Sequence, residues 1–269
     1  MAAVSQALID FANHHRQPPE AGVVIVETPR YRITLQPDFP IAGPNSVSWI
    51  RCRRDESDEV IGEVRSTVAP RRLPVMWTLD PETEPPDFGN CLAARDVPPD
   101  PHGPEAKVMV LAITTTIDHP AVAGLEIRDA LADQVSFRMA DAVNSEAFGA
   151  ASRGEDAGLS AALERRRANW VSAGNRRVIL ATVDGEPAGS AGLSLYPPLG
   201  AIINGGAVLP KFRGRGIYRA MVAARLEMAC QAGVEGLAVW GGAMSAPILA
   251  GLGFEAVGWR RFYVDTSTA

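Results

Sequence analysis

The sequence predicts a protein of mixed α/β class with two domains, each built on a mixed central β-sheet flanked by helices. The chain has 269 residues, enough for two domains of ordinary size, and 46% of them are hydrophobic, which suits a substantial core. Strand-like runs alternate with helical segments along the whole chain. In the second half, consecutive strand-like runs stand on either side of long helices, which is the order expected of a mixed sheet.

In the first half of the sequence, we predict an N-terminal extension over residues 1–20 and a domain over residues 21–113. Strands are expected at residues 23–26, 31–35, 47–50, 75–77 and 108–111, and helices at residues 5–13, 57–68 and 88–94. A run of threonines followed by Pro120 and Gly124 then indicates a linker over residues 114–123.

The second domain is predicted over residues 124–269. Its strands are expected at residues 125–127, 178–181, 188–195, 201–209, 237–240 and 254–264, and its later helices at residues 159–170, 217–232 and 246–252. Before these helices, an apolar stripe predicts another helix with Leu131, Val135, Met139 and Val143 on one face. Asp184-Gly185 is typical of a two-residue β-hairpin turn.

Charge and composition exclude several functional classes. A formal net charge of −5 and a pI near 5.5 argue against a nucleic-acid partner bound through its phosphates. The N-terminus lacks the basic start and apolar run of a secretory signal, and the apolar runs are too short for a membrane span. Three cysteines without C-x-x-C spacing fit reduced thiols in the cytoplasm, and they predict neither a disulfide framework nor a metal site.

The most informative segment joins a strand to a helix near residue 210. The strand is expected to end at Pro210, and the helix to begin after Arg213-Gly214-Arg215-Gly216. The first turn of a helix leaves backbone N–H groups unpaired and carries partial positive charge. The two glycines let a ligand approach the backbone, and the two arginines add charge, so the segment predicts an anion site.

Two other phosphate-binding motifs do not fit this segment. A dinucleotide fingerprint requires a third glycine where Arg219 stands. A Walker loop requires Gly-Lys followed by Ser or Thr, which the sequence lacks.

The segment Val208-x-Pro210-x-x-Arg213-Gly214-x-Gly216, with Leu252-Gly253-Phe254 after it, resembles the signature of the GCN5-related N-acetyltransferases (GNAT superfamily). The resemblance implies that loop amides hold the pyrophosphate of coenzyme A and that the preceding strand pairs with the pantetheine arm, with acetyl-CoA as co-substrate and no metal. The residues it assigns to coenzyme A are Ala207, Val208, Leu209, Arg213, Gly214, Arg215, Gly216, Ile217 and Tyr218. The first half resembles a degenerate copy, as in tandem acetyltransferases, because its junction near residues 50–54 has no G-x-G.

Two positions depart from the family pattern. Tyr218 stands where the family usually has glycine or alanine, and Leu249 stands where many members have the tyrosine that protonates the leaving thiolate. Ser245 is the nearest hydroxyl in sequence and a candidate acid, although a serine there also suits a helix N-cap. Glu146 is a candidate for facing the acceptor cleft, or else an ordinary solvated helix residue. Aromatic candidates for lining that cleft are Tyr196, Trp240 and Tyr263.

The resemblance implies an N-acyltransferase that moves an acetyl group from acetyl-CoA to an amine of a small molecule by direct transfer in a ternary complex. The alternative is a non-catalytic acyl-CoA-binding or regulatory protein, which Leu249 and the lack of histidine after His119 favour. A third possibility is a related enzyme that binds coenzyme A at the same loop and catalyses another reaction of its thioester. The sequence is compatible with a homodimer and does not identify the acceptor.

Overall fold

The computed structural model describes residues 4–147 and 157–269, which form two compact units. The large unit comprises residues 1–16 and 108–257, and the small unit comprises residues 17–107 and 258–269. Each unit thus combines two separate stretches of chain. The domains predicted over residues 21–113 and 124–269, by contrast, follow one another along the chain.

The described helices and strands agree closely with those expected from the sequence. The helices are α1 (Gln6–His14), α2 (Ser57–Val68), α3 (Phe88–Ala93), α4 (Gln134–Ala147), α5 (Ala157–Ala173), α6 (Ile217–Gln231) and α7 (Ala246–Gly251). The strands are β1 (Val24–Glu27), β2 (Arg32–Leu35), β3 (Ser46–Ser48), β4 (Val75–Leu79), β5 (Glu105–Ala112), β6 (Leu125–Asp129), β7 (Arg176–Val183), β8 (Glu186–Tyr196), β9 (Gly200–Val208), β10 (Gly236–Gly241) and β11 (Glu255–Asp265).

In the small unit, three antiparallel strands lead into a parallel pair. β1, β2 and β3 pair antiparallel in order, and α2 then carries the chain to β4, which pairs parallel with β3. The part of β11 that belongs to this unit pairs antiparallel with β4. Trp77 and Phe88 are fully buried in its core, with ring centroids 5.7 Å apart.

The large unit repeats this plan with longer elements. β6, β7, β8 and β9 pair antiparallel in order, and α6 carries the chain to β10, which pairs parallel with β9. Because a parallel neighbour requires a crossover, the helix between the two strands covers one face of the sheet. The predicted hairpin joins β7 to β8: Asp184 and Gly185 have φ of +49° and +81°, as a tight hairpin turn requires. Both units therefore have a mixed sheet with flanking helices, as predicted.

Helix α1 belongs to the core of the large unit, although residues 1–20 are predicted as an extension. Its N-cap is Ser5, whose side chain accepts a hydrogen bond from the N–H of Leu8 at 3.1 Å. Leu8 and Phe11 are buried in a cluster with strand residues of β5 and β10. Gly200 leaves room for this packing, because a Cβ there would lie 2.6 Å from the Phe11 ring.

The apolar stripe predicted for α4 is wrong in part. Val135 and Met139 are 62% and 37% exposed, whereas Phe137, Ala140 and Val143 are buried. The helix therefore turns a different face to the sheet than the apolar pattern indicates. One polar contact on this face is the hydrogen bond from the Asn144 amide to the buried Ser190 hydroxyl on β8, at 3.3 Å.

Candidate functional site

A glycine-containing loop, residues 213–216, leads from the end of β9 and a short turn to the start of α6. The N–H of Leu209 donates to the carbonyl of Ala188 at 2.9 Å, which fixes where the chain leaves the sheet. A short 3-10 turn (Pro210–Phe212) follows. Gly214 and Gly216 then adopt φ of +75° and +90°, a left-handed conformation that residues with a Cβ rarely adopt. The loop thus depends on glycine at both positions.

The first turn of α6 has backbone donors without a side-chain cap. Gly216 is the N-cap residue, no side chain caps the first-turn amides, and no acidic residue occurs in that turn. The N–H groups at the start of the helix, including those of Ile217 and Tyr218, are thus available to an external acceptor. The helix dipole adds partial positive charge at this end, so the loop can hold an anion such as a phosphate group.

Basic side chains surround the same loop. Arg213 and Arg215 are exposed, and the Nε of Arg213 donates to the carbonyl of Val208 at 3.1 Å, which keeps this side chain beside the end of β9. The guanidinium of Arg215 lies 5.7 Å from the ring centroid of Phe212. These two side chains add positive charge near the uncapped helix end.

The segment predicted as a linker contacts the loop. A Cβ at Gly216 would lie 2.5 Å from Cγ of Pro120 and 3.7 Å from a methyl of Val122. A side chain at position 216 therefore has no room, in addition to the strain of its positive φ. Pro120 and Val122 form part of the wall of the loop, and they belong to the large unit.

Strand β9 contains a bulge just before the loop. Ser190 of β8 pairs with Ala207 and Gly192 pairs with Asn204, so a single residue of β8 lies opposite Gly205 and Gly206. Gly205 has φ of +56°, as in bulges whose first residue is a left-handed glycine. Such a bulge bends the strand and increases its twist, which redirects the end of β9.

Strands β9 and β10 pair only near their beginnings. The parallel register joins Ala201 to Leu237 and Ile202 to Ala238. Beyond these positions β9 continues to Val208, and within the described residues no ladder pair joins this continuation to β10. The edge of β9 that faces β10 there presents backbone donors and acceptors, which an extended ligand with amide groups can bind as an added strand would.

A comparison of the sequence with known families identifies this region. Residues 145–245 match the Acetyltransferase (GNAT) family, and the matched stretch includes β9, the glycine loop and α6. This part of the chain is therefore similar to the GNAT family. The comparison with curated proteins gives no match.

Solved structures share the fold over most of the chain. A GCN5-related N-acetyltransferase from Kribbella flavida is 15% identical, with 91% of this chain and 90% of that chain covered and a TM-score of 0.63. A tandem GNAT protein from the clavulanic acid biosynthesis pathway is 17% identical, with coverage of 96% and 87% and a TM-score of 0.58. A functionally unknown conserved protein from Staphylococcus epidermidis ATCC 12228 is 11% identical, with coverage of 97% and 99% and a TM-score of 0.69. The predicted pair of GNAT-like domains is thus confirmed at the level of fold.

The position of the usual GNAT tyrosine is part of the hydrophobic core. Leu249 is 0% exposed and belongs to a cluster that includes Met109, Val239 and Phe254. Ser245 occupies the N-cap position of α7, but its hydroxyl donates to the carbonyl of Gly242 at 3.4 Å and does not cap the helix. Its role as a proton donor stays a prediction.

The other candidates for the acceptor side are spread over the chain. Glu146 is exposed on α4, two positions beyond Asn144, so the two side chains point in different directions around the helix. Trp240 is 50% exposed near the end of β10, beyond the last pair with β9. Tyr196 packs against the His15 ring, with centroids 3.9 Å apart, and Tyr263 belongs to the small unit.

The GNAT resemblance did not indicate the bulge of β9 or the burial of Arg225. Gly205-Gly206 inside a strand could have predicted the bulge, because glycine in a strand often marks one. Arg225 could not have been found from its spacing, because arginine on a helix is usually exposed. It is nonetheless 1% exposed, on the face of α6 that packs against the sheet.

No transmembrane helix or metal site is found where the structure describes the chain. None of the helices in residues 4–147 and 157–269 is long and apolar enough to cross a membrane. Among the same residues, His, Cys, Asp and Glu side chains do not form a group of three or more that could hold a metal ion.

Proposed function

We propose that the large unit transfers an acetyl group from acetyl-CoA to an amine of a small molecule, by direct transfer in a ternary complex. The observation that carries this proposal is the continuity between the unpaired edge of β9 and the uncapped glycine loop. A strand edge suits an extended amide-containing arm, and a helix N-terminus suits a pyrophosphate. Coenzyme A joins these two groups in one molecule, and the match of residues 145–245 to the GNAT family supports the choice.

In this proposal, the chain binds and orients while the thioester supplies an acyl group already activated for transfer. The amides of Gly214, Gly216, Ile217 and Tyr218 would bind the pyrophosphate, and Arg213 and Arg215 would add charge. The backbone from Ala207 to Leu209 would align the pantetheine arm. Orientation of two bound reactants can supply a large part of a rate enhancement without a general acid.

In this proposal, the acceptor amine binds near the point where β9 and β10 stop pairing. Trp240 on β10 is exposed there and offers an aromatic face to an acceptor. Ser245 and Glu146 stay candidates for proton transfer. The cytoplasmic location and a homodimer stay predictions from the sequence.

The alternative is a GNAT-like protein that binds acyl-CoA without turning it over. The burial of Leu249 favours it, because no tyrosine hydroxyl is available at that position. Release of free thiol from acetyl-CoA in the presence of a panel of small amines separates the two functions. Amine-dependent thiol release supports the enzyme, whereas tight binding of coenzyme A without release supports the binding protein.

We expect Ser245→Ala to lower the rate with an accepted amine by about 100-fold or more if Ser245 is the proton donor, because general acids typically contribute about 10²–10⁴-fold. The matched control is Ser172→Ala, which removes an exposed hydroxyl of α5 and should leave the rate unchanged. Equal rates for both variants would remove Ser245 from the mechanism.

Leu249→Tyr is expected to lower the free energy of unfolding by about 1–3 kcal/mol and not to accelerate the reaction, because the side chain at this position is fully packed.

We expect one coenzyme A to bind per chain, because acidic side chains occupy the corresponding junction of the small unit. Asp58 and Glu59 occupy the first turn of α2, and Glu56 accepts a hydrogen bond from the N–H of Arg53 at 2.8 Å. Carboxylates at a helix N-terminus occupy the positive end that an anion would use. Titration calorimetry measures the ratio, and two sites per chain would contradict this prediction.

A further inference from the structure

Arg225 is a buried cation on α6 that connects the helix to the sheet. Its Nε donates to the carbonyl of Met221, one turn earlier in the helix, at 3.0 Å. Its Nη1 donates to the carbonyl of Gly192 on β8 at 3.2 Å. Gly192 is the first residue of β8 beyond the bulge, so the guanidinium holds the sheet at the point where its register changes.

The burial of this charge is costly for stability. In the described part of the chain, no salt bridge to a carboxylate is formed by Arg225. Burial lowers the pKa of its guanidinium to about 10, although the neighbouring Tyr218 hydroxyl acts in the opposite direction. Buried charges can often be replaced by hydrophobic residues of similar volume without loss of stability. A role other than stability would explain the arginine.

Tyr218 connects the same guanidinium to the glycine loop. It lies in the first turn of α6, two turns before Arg225 and on the same face, and its side chain lies beside the guanidinium. A Cβ at Gly206 would lie 3.1 Å from the Tyr218 ring and 3.5 Å from a guanidinium nitrogen of Arg225. The two side chains therefore form the wall behind the bulge of β9.

We propose that Arg225 and Tyr218 are positioning residues that hold the bulge of β9, and with it the unpaired edge of this strand, in the conformation that receives an acyl-CoA arm. The inference rests on the proposed function for its ligand. Without Arg225 and the ring of Tyr218, Gly192 loses a hydrogen-bond donor and Gly206 loses the side chains packed behind it, so the bulge loses its support on both strands. Tyr218, which stands where the family usually has glycine or alanine, then contributes to the same positioning of the bulge.

Four variants test this inference: Arg225→Met, Arg225→Lys, Tyr218→Phe and, as a matched control, Arg219→Met. Arg219 is exposed on the same helix, so the control removes an equal charge without touching the bulge. Hydrogen exchange of the amides of residues 203–208 reports on the bulge in the ligand-free protein, and calorimetry reports the Kd of coenzyme A. We expect Arg225→Met to accelerate exchange and raise the Kd, each about tenfold, the scale of a lost charged hydrogen bond.

The melting temperature separates positioning from a purely structural role. We expect Arg225→Met to melt no lower than Arg219→Met, because methionine fills the space without the cost of burying a charge. Tyr218→Phe should change exchange and Kd in the same direction as Arg225→Met but less, and Arg225→Lys should restore part of the affinity.

Two results would overturn the inference. In the first, the wild type binds coenzyme A, but Arg225→Met and Tyr218→Phe change neither the hydrogen exchange nor the Kd. This result contradicts the positioning role and leaves the proposed function intact. The other is a lowered melting temperature with an unchanged Kd, which means a structural role alone. If the wild type binds no coenzyme A, the proposed function fails and the receiving role fails with it, whatever the exchange data show.

Discussion

We expect Gly214→Val to raise the Kd for coenzyme A by at least about 100-fold, equivalent to about 2.7 kcal/mol. Gly214 has φ of +75° in the loop that would hold the pyrophosphate. A branched side chain disfavours this conformation and obstructs the approach of phosphate to the loop amides. Titration calorimetry on the folded variant measures the loss.

Gly233→Val is the matched control for this variant. Gly233 has φ of +70° just beyond the other end of α6, and at both positions an added Cβ would meet no described atom within 4 Å. The two variants thus carry a similar backbone strain, and only one alters the loop. An equal Kd for both would refute the assignment of the loop to coenzyme A.

Gly216→Val is a harsher change than Gly214→Val. A Cβ at position 216 would meet the Pro120 ring at 2.5 Å, so the variant combines strain with a clash. We expect it also to lose coenzyme A binding, but its lower stability makes it the poorer test. Gly214→Val separates binding from folding more clearly.

We expect Phe11→Ala to destabilise the large unit by about 3–5 kcal/mol, although Phe11 lies in a region predicted as an extension. The ring is 5% exposed, packs against Gly200 and lies 5.8 Å from the Tyr196 ring. Its removal leaves a cavity between α1 and the sheet. Hydrogen exchange of the amides of β10 measures the local free energy of opening.

Asp10→Ala is the control for Phe11→Ala. Asp10 is exposed on the same helix and accepts a hydrogen bond from Gln6 at 2.9 Å, so its loss should cost less than about 0.5 kcal/mol. If Phe11→Ala and Asp10→Ala give the same protection of β10, helix α1 contributes little to this unit.

Features set by a few neighbouring residues were predictable from the sequence. Asp184-Gly185 forms the expected tight hairpin, because both residues tolerate positive φ. The helix after Gly216 begins at Ile217 as expected, and it ends before Gly233, whose φ is also positive. These signals are local, so they needed no knowledge of tertiary contacts.

Features that depend on distant parts of the chain were not predictable in this way. The face that α4 buries is set by its contact with β8, which leaves Val135 and Met139 exposed against their hydrophobicity. Burial of Arg225 requires the carbonyl of Gly192, which lies 33 positions earlier. The packing of Phe11 against Gly200 joins the two separate stretches of chain that form the large unit. Composition and periodicity carry no information on such pairings.

The division of each unit between two stretches of chain has a consequence for synthesis on the ribosome. Helix α1 is made before the rest of the large unit to which it belongs, which extends to Val257. At a synthesis rate of about 5–20 residues per second, roughly 10–50 s pass between the synthesis of Leu8 and Phe11 and the completion of the large unit. During that interval they are exposed to other nascent chains and to chaperones. Each unit is therefore encoded by two separate segments of the coding sequence.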